Sequence, residues 1–167
     1  LLTSRRADYS ISISQATMDV TPYEQLEALL ALLVAATLGA VLGLNREWSR
    51  RPAGLRTHML VAVGAALVMV LARLLFPWDT VGRMATGVLT GIGFLGGGVI
   101  IHRQSQVQGL TTAASIWLVA VIGLTAGAEL YVLAVGATVI SWFVLAVLLR
   151  VSRAIDPRQT PEDEEID

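Results

Sequence analysis

Long apolar blocks, each close to the length of one membrane span, limit how this chain can fold. A helix needs roughly 20 apolar residues to cross a hydrocarbon core of about 30 Å. Five such blocks occur, and most charged residues lie between them or near the chain ends. The predicted helices cover about 26–44, 58–76, 84–101, 110–126 and 130–149. We therefore expect an all-α integral membrane protein, a bundle of about five transmembrane helices with a Gly-rich third helix.

These blocks divide the chain into three parts. Residues 1–24 form a polar N-terminal extension, 25–150 a transmembrane domain and 151–167 an acidic tail. Thr21-Pro22 predicts the start of the first helix, because Pro is tolerated in a first helical turn. The chain begins at Leu1, which is typical of a truncated or unusually initiated sequence.

The distribution of arginine predicts the orientation in the membrane. Arginines are concentrated in the first connector, with more in the third connector and after the fifth helix. The second connector has only Arg83 and the fourth has none. Because Arg and Lys are enriched in cytoplasmic loops, we expect the N-terminus outside and the C-terminus in the cytoplasm.

Composition excludes several classes of function. The formal net charge is −1, so no basic field attracts nucleic acid, and the chain has no Cys for disulfides or thiolate chemistry. His58 and His102 are too isolated to predict a metal site. No nucleophile or acid–base pair stands out, so we expect no enzyme and no cofactor, with Mg²⁺ left open as a ligand.

Polar residues lie directly after the first apolar block and at the start of the second. Ionisable groups at that depth should pair with each other or face a polar cavity. Two interpretations stay open, a structural Arg–Glu brace and a binding site, whereas a positive-inside loop explains Arg50 and Arg51. The candidates are Asn45, Arg46, Glu47, Arg56, Thr57 and His58.

Thr111 and Thr112 begin the fourth helix on the same predicted side of the membrane. Their hydroxyls could cap the free N–H groups of that helix. A helix N-terminus also favours anions, so an anionic head group or the Glu47 carboxylate could dock there. On the opposite side, Asp79 and Glu129 form either a weak cation site or solvated loop charges.

Glycines dominate the third block. Gly91-Ile92-Gly93-Phe94-Leu95-Gly96 matches a dinucleotide-binding string, but it lies inside an apolar block rather than in a strand–turn–helix unit. Close helix packing is the favoured interpretation, and a broken helix lining a polar path is the alternative. The same small-residue spacing occurs at Gly39/Gly43 and Gly123/Gly127. The candidates for packing or for a path are Gly91, Gly93, Gly96, Gly97 and Gly98.

Four motifs, taken together, resemble the MgtC/SapB family of bacterial inner-membrane proteins. They lie at 43–47, 51–60, 91–100 and 109–117, and the resemblance extends over about 26–149. Two departures stand out. The family's usual Glu in the first motif is Asn45 here, and larger members carry a C-terminal soluble domain, whereas this chain ends at Asp167.

The resemblance implies a multi-pass protein of the cytoplasmic (inner) membrane, linked to magnesium homeostasis, acid stress and virulence. It implies a regulator acting on membrane partners such as the proton-translocating ATP synthase, with a cation (Mg²⁺) transporter or channel as the alternative. Glycine-mediated contacts favour a homodimer. We further expect Glu47 to pair with Arg46 or Arg56, with the Thr111-Thr112 helix start lying against them.

Overall fold

The computed structural model describes residues 20–103 and 106–155, with the side chains of 101–106 and 147–155 left outside that description. The predicted N-terminal extension up to residue 19 and the predicted acidic tail from residue 156 lie outside the described residues.

Five helices and one short hairpin make up the described chain, which confirms the all-α, five-helix prediction. The helices are α1 Pro22–Trp48, α2 Leu55–Leu75, α3 Trp78–Val99, α4 Leu110–Gly127 and α5 Tyr131–Ile155. Between α3 and α4, strands β1 Ile101–Arg103 and β2 Gln106–Gln108 pair antiparallel. By length and composition, α1, α2 and α4 can each cross a membrane. For α3 and α5, a membrane span stays a prediction.

The start of α1 follows the expected capping chemistry. Thr21 is the N-cap, and its hydroxyl accepts a hydrogen bond from the Glu24 N–H at 3.3 Å. The Glu24 carboxylate in turn accepts from the Thr21 N–H at 2.7 Å. Pro22 occupies the first turn, where its missing N–H costs nothing. The predicted helix start at Thr21-Pro22 is confirmed.

Helix α3 starts earlier than its apolar stretch. We expected it from residue 84, but it begins at Trp78, directly after the N-cap Pro77. The first turn contains Asp79, which suits the positive end of a helix dipole but lowers the local hydropathy. The helix then runs unbroken to Val99, so the interpretation of a broken glycine helix was wrong.

The connection from α3 to α4 contains the β1–β2 hairpin. Gly109 follows β2 as the N-cap of α4, with φ at 90° in the left-handed region that favours glycine. Since this N-cap has no side chain, no side-chain hydrogen bond caps α4. The expectation that Thr111 and Thr112 cap the helix was therefore wrong.

Helix α2 packs against both α1 and α4, and glycines bring the backbones close together. A Cβ on Gly39 would lie 2.8 Å from the His58 carbonyl oxygen, and one on Gly43 would lie 2.7 Å from the Leu55 Cα. Where α4 meets α2, Cβ atoms on the two α4 glycines would overlap the backbone at Ala62 and Ala66. The predicted packing role of the two glycine pairs, Gly39/Gly43 and Gly123/Gly127, is confirmed.

The glycines of α3 behave differently. Only Gly96 of the five candidates lies against another helix in the described chain, with a built Cβ 3.5 Å from the Ala113 Cβ. Gly91, Gly93, Gly97 and Gly98 have open space beside them. Packing within the chain therefore explains one of the five glycines. The others form part of an outward face of α3.

Substituting Gly123 with Ala should destabilise the bundle. The new methyl group meets the Ala62 backbone, and overpacking of this kind costs about 1–3 kcal/mol. The measurement is the thermal unfolding midpoint of the purified protein in detergent. Gly64→Ala is the matched control, since Gly64 is an exposed helical glycine with nothing within 4 Å. Equal midpoints for the two variants would contradict the packing account.

Candidate functional site

Arg46 lies in the last turn of α1 and reaches the first turn of α4. It continues the buried stripe of α1 formed by Leu38, Leu42 and Gly43, so helical periodicity points its side chain inward. Its Nη2 donates a hydrogen bond to the Thr112 hydroxyl. The connector after α1 and the hairpin before α4 therefore share one end of the bundle, as the arginine pattern predicted.

Arg46 is buried to an extent unusual for a charged side chain. Its relative exposure is 1%, and it is the largest fully buried side chain among the described residues. Its Nε and Nη1 have no hydrogen-bond partner among those residues. A buried cation without a counter-charge costs several kcal/mol, so Arg46 lowers the stability of the folded protein.

His58 extends the same network from α2. Its Nδ1 lies 2.9 Å from the Gly54 carbonyl oxygen, and its Nε2 lies 3.2 Å from the Ser115 hydroxyl. The Ser115 hydroxyl lies 2.8 Å from the Thr112 carbonyl oxygen. Together these contacts connect three helices, with Arg46 on α1, His58 on α2, and Thr112 and Ser115 on α4. We call these four residues the Arg46 network.

The directions of the hydrogen bonds in the Arg46 network depend on whether His58 is neutral or doubly protonated. A carbonyl oxygen can only accept, so His58 Nδ1 must carry a proton to bond Gly54. If Ser115 donates to the Thr112 carbonyl, it accepts from a protonated Nε2, which makes His58 an imidazolium. A neutral His58 instead accepts at Nε2, and the Ser115 proton then turns away from the Thr112 carbonyl.

Glu47 does not form the expected ion pair with Arg46 or Arg56, and that prediction was wrong. Its carboxylate accepts a hydrogen bond from the Leu55 N–H at 2.9 Å, at the first residue of α2. The carboxylate also fills the space that a Cβ on Gly54 would need. Glu47 thus closes the tight connection between α1 and α2 and complements the positive end of the α2 dipole.

The remaining candidates at this end lie outside the Arg46 network. Arg56, Thr57 and Thr111 are exposed. Asn45 is half-buried, and its side-chain oxygen is buried without a hydrogen-bond partner among the described residues. Ser115 was missed from the sequence, and its only signal was its position three residues after Thr112, on the face that packs inward.

A second arginine fixes the opposite end of α4. Arg73 Nη1, near the end of α2, donates to the Gly127 carbonyl oxygen at 3.0 Å and lies 2.8 Å from Glu129 Oε1. The hydrogen bond from Arg73 holds the pKa of Glu129 below its ordinary value. Glu129 is therefore an exposed loop charge that pairs with Arg73.

The pair of Arg73 and Glu129 predicts a pH-dependent contribution to stability. Because the pKa of Glu129 is lowered in the folded protein, its stabilisation is present above the pKa of an unfolded Glu. That stabilisation is lost as the pH falls through the lower, folded value. Glu129→Gln should lower the free energy of unfolding near neutral pH by less than about 1 kcal/mol, since the pair is partly exposed.

The check is thermal unfolding of wild type and Glu129→Gln across a pH series. The difference between them should shrink to nothing in acid. Asp79→Asn is the control, because Asp79 is exposed and belongs to no ion pair among the described residues. A Glu129→Gln difference that stays constant from neutral to strongly acidic pH would contradict the pair's role.

Metal ligands do not gather anywhere in the described ranges. No group of three or more His, Asp or Glu side chains that could hold a metal ion is found within residues 20–103 and 106–155. The chemistry available at the Arg46 end is that of hydrogen-bond donors and a cation, which suits anions rather than metals.

The fold, with the Arg46 network at one end of its helices, defines a polytopic α-helical membrane protein. The chain matches the MgtC family over residues 32–154 and belongs to that family. It is 46% identical over 112 residues to protein MgtC of Salmonella typhimurium LT2, covering 67% of this chain and 48% of that protein. The chain thus spans about half the length of the MgtC proteins that it matches.

Two further relatives are also similar to this chain. The putative magnesium transporter YhiD of Escherichia coli K12 is 39% identical over 129 residues, which cover 72% of this chain and 60% of YhiD. An uncharacterized protein of Synechocystis is 45% identical over 105 residues, covering 63% of this chain and 45% of its own length. No solved structure matches the chain.

Proposed function

We propose that the protein is a non-enzymatic membrane regulator that serves magnesium homeostasis, including growth under acid stress and in a host, by binding membrane partners. Membership of the MgtC family and the similarity to YhiD, a putative magnesium transporter, support a link to magnesium. The observation that carries the choice of regulator over cation transporter is the buried charge of Arg46.

The position of Arg46 opposes cation passage through the bundle of one chain. The guanidinium lies at the junction of α1, α2 and α4 and is held there by Thr112. Two like charges a few ångströms apart repel by several kcal/mol at the effective dielectric of a protein. A cation following the polar side chains of this junction would have to pass close to that charge.

The outward face of α3 is the surface we assign to helix contacts with other proteins. Gly91, Gly93, Gly97 and Gly98 leave its backbone open, and Phe94 projects beside them with 84% of its surface exposed. Small residues of this kind let a second helix approach closely in lipid. We propose two partners for this face, a second copy of the chain in a homodimer and the ATP synthase. We also propose that the Arg46 end of the bundle lies in the cytoplasm.

The alternative function is a cation transporter or channel, which the similarity to the putative magnesium transporter YhiD supports. The specific observation in its favour is the same open glycine face. If copies of the chain assembled through α3, its glycines could line a path between them that avoids Arg46.

Magnesium flux into proteoliposomes separates these functions. The purified chain is reconstituted with a Mg²⁺ indicator trapped inside, and its fold is checked by its thermal transition. The regulator proposal predicts no saturable Mg²⁺ flux above that of empty vesicles. Saturable flux that Gly97→Leu abolishes would overturn it and favour the path along α3.

Growth in low magnesium supplies the positive test. In a strain lacking the gene, the wild-type protein should restore growth, whereas Gly97→Leu at equal abundance should not, because it blocks the partner-binding face. Gly64→Leu is the control, since Gly64 is an exposed glycine on a different helix. Rescue accompanied by faster Mg²⁺ uptake would favour transport.

A further inference from the structure

The charge of Arg46 is not neutralised by any carboxylate of the described residues. The one ion pair within those residues is that of Arg73 with Glu129, at the opposite end of α4. The neighbouring acid, Glu47, accepts from the Leu55 N–H. The preceding residue is Asn45, a neutral amide, so it supplies no counter-charge either. Arg46 is 1% exposed, and a buried cation without a counter-charge is costly. An anion from outside the chain would remove that cost.

The first turn of α4 supplies further donors beside Arg46. Thr112, which accepts from Arg46, is the third residue of this 18-residue helix. The free N–H groups of that turn receive no side-chain cap, because the N-cap is Gly109. Leu110 and Thr111 are exposed, so the turn can be reached from outside the bundle. Helix N-termini of this kind bind anions through their N–H groups and the helix dipole.

We propose that Arg46 and the first turn of α4 form a binding site for a phosphate group. The remaining N–H groups on Arg46 Nε and Nη1 and the uncapped N–H groups of α4 are its donors. Arginine is well suited to this task, because its guanidinium stays charged and offers several donors to phosphate oxygens.

The depth of the site favours phosphate over other anions. Arg46 lies two residues before Trp48, which ends α1 and is 82% exposed. Exposed tryptophans at helix ends mark the level of lipid head groups, where phosphates are abundant. A phospholipid head group and a free phosphate ion share this chemistry. The site does not depend on the regulator function, since a transporter could contain it equally well.

A phosphate group bound at the site should raise the thermal stability of the protein. A ligand that binds only the folded state raises the unfolding midpoint by mass action, here by about 5 °C at a concentration roughly a hundredfold above Kd. Arg46→Met removes the unpaired cation and keeps an apolar side chain of similar length. In the absence of phosphate it should therefore unfold at the same temperature as wild type or higher.

The experiment uses the full chain in maltoside micelles, which contain no phosphate, and measures thermal unfolding. One arm compares the protein in chloride and in inorganic phosphate at equal ionic strength. The other compares micelles without lipid and micelles with added phosphatidylglycerol. Wild type should gain stability in at least one arm, and Arg46→Met in neither. Arg56→Met is the matched control, since Arg56 is exposed near the same end, and it should respond as wild type does.

Each outcome decides the proposal. A response to phosphatidylglycerol alone identifies a lipid head group, and a response to inorganic phosphate alone identifies a free phosphate. No response in wild type overturns the proposal and points to a carboxylate of a protein partner. An equal response in Arg46→Met also overturns it. If Arg46→Met does not fold, Arg46→Lys keeps the charge and should respond more weakly than wild type, and an undiminished response would overturn the proposal.

Discussion

Close backbone contact at the glycines that face α2 is the constraint on which the rest of the bundle depends. Gly39 and Gly43 bring α1 against α2, and the glycine pair of α4 brings α4 against α2. Inside a bilayer the hydrophobic effect does little to hold helices together, so this packing has to supply the attraction. It also brings the ends of α1, α2 and α4 near enough for their side chains to hydrogen-bond.

Two arginines then fix the ends of α4 with opposite energetic consequences. At one end Arg73 meets a carbonyl oxygen and the Glu129 carboxylate, so its charge is compensated. At the other end Arg46 meets only the neutral hydroxyl of Thr112 within the described chain. A local cost of this kind, placed inside an otherwise consistent fold, is typical of a functional position rather than of a structural brace. Because Arg73 already has a counter-charge and Arg46 has none among the described residues, an external anion is expected at the Arg46 end of α4.

Hydropathy and small-residue spacing were sufficient to predict five helices and the glycine contacts of α2, because both signals are local. They placed the start of α3 too late, since Asp79 makes its first turn polar although Pro77 already marks a helix start. They also could not show that the α3 glycines face outward, because that depends on which side of α3 meets α4.

The polar end of the bundle was harder to predict. Arg46 and Glu47 are adjacent in sequence, but successive residues of a helix point about 100° apart, so one faces the core and the other the α2 start. Helical periodicity from Leu42 could have shown this. Ser115 shares the inward face with Thr112, but a serine in an apolar helix often bonds its own backbone, so its position alone did not predict a contact with another helix. Its contact with His58 depends on the packing of α2 against α4.

The central claim is that Arg46 of α1 and Thr112 of α4 interact inside the bundle. A double-mutant cycle tests it, with unfolding free energies measured for wild type, Arg46→Met, Thr112→Val and the double variant. The interaction predicts a coupling energy of about 1 kcal/mol or more. The exposed pair Arg56→Met and Thr111→Val should show none. Strictly additive effects at positions 46 and 112 would contradict the account.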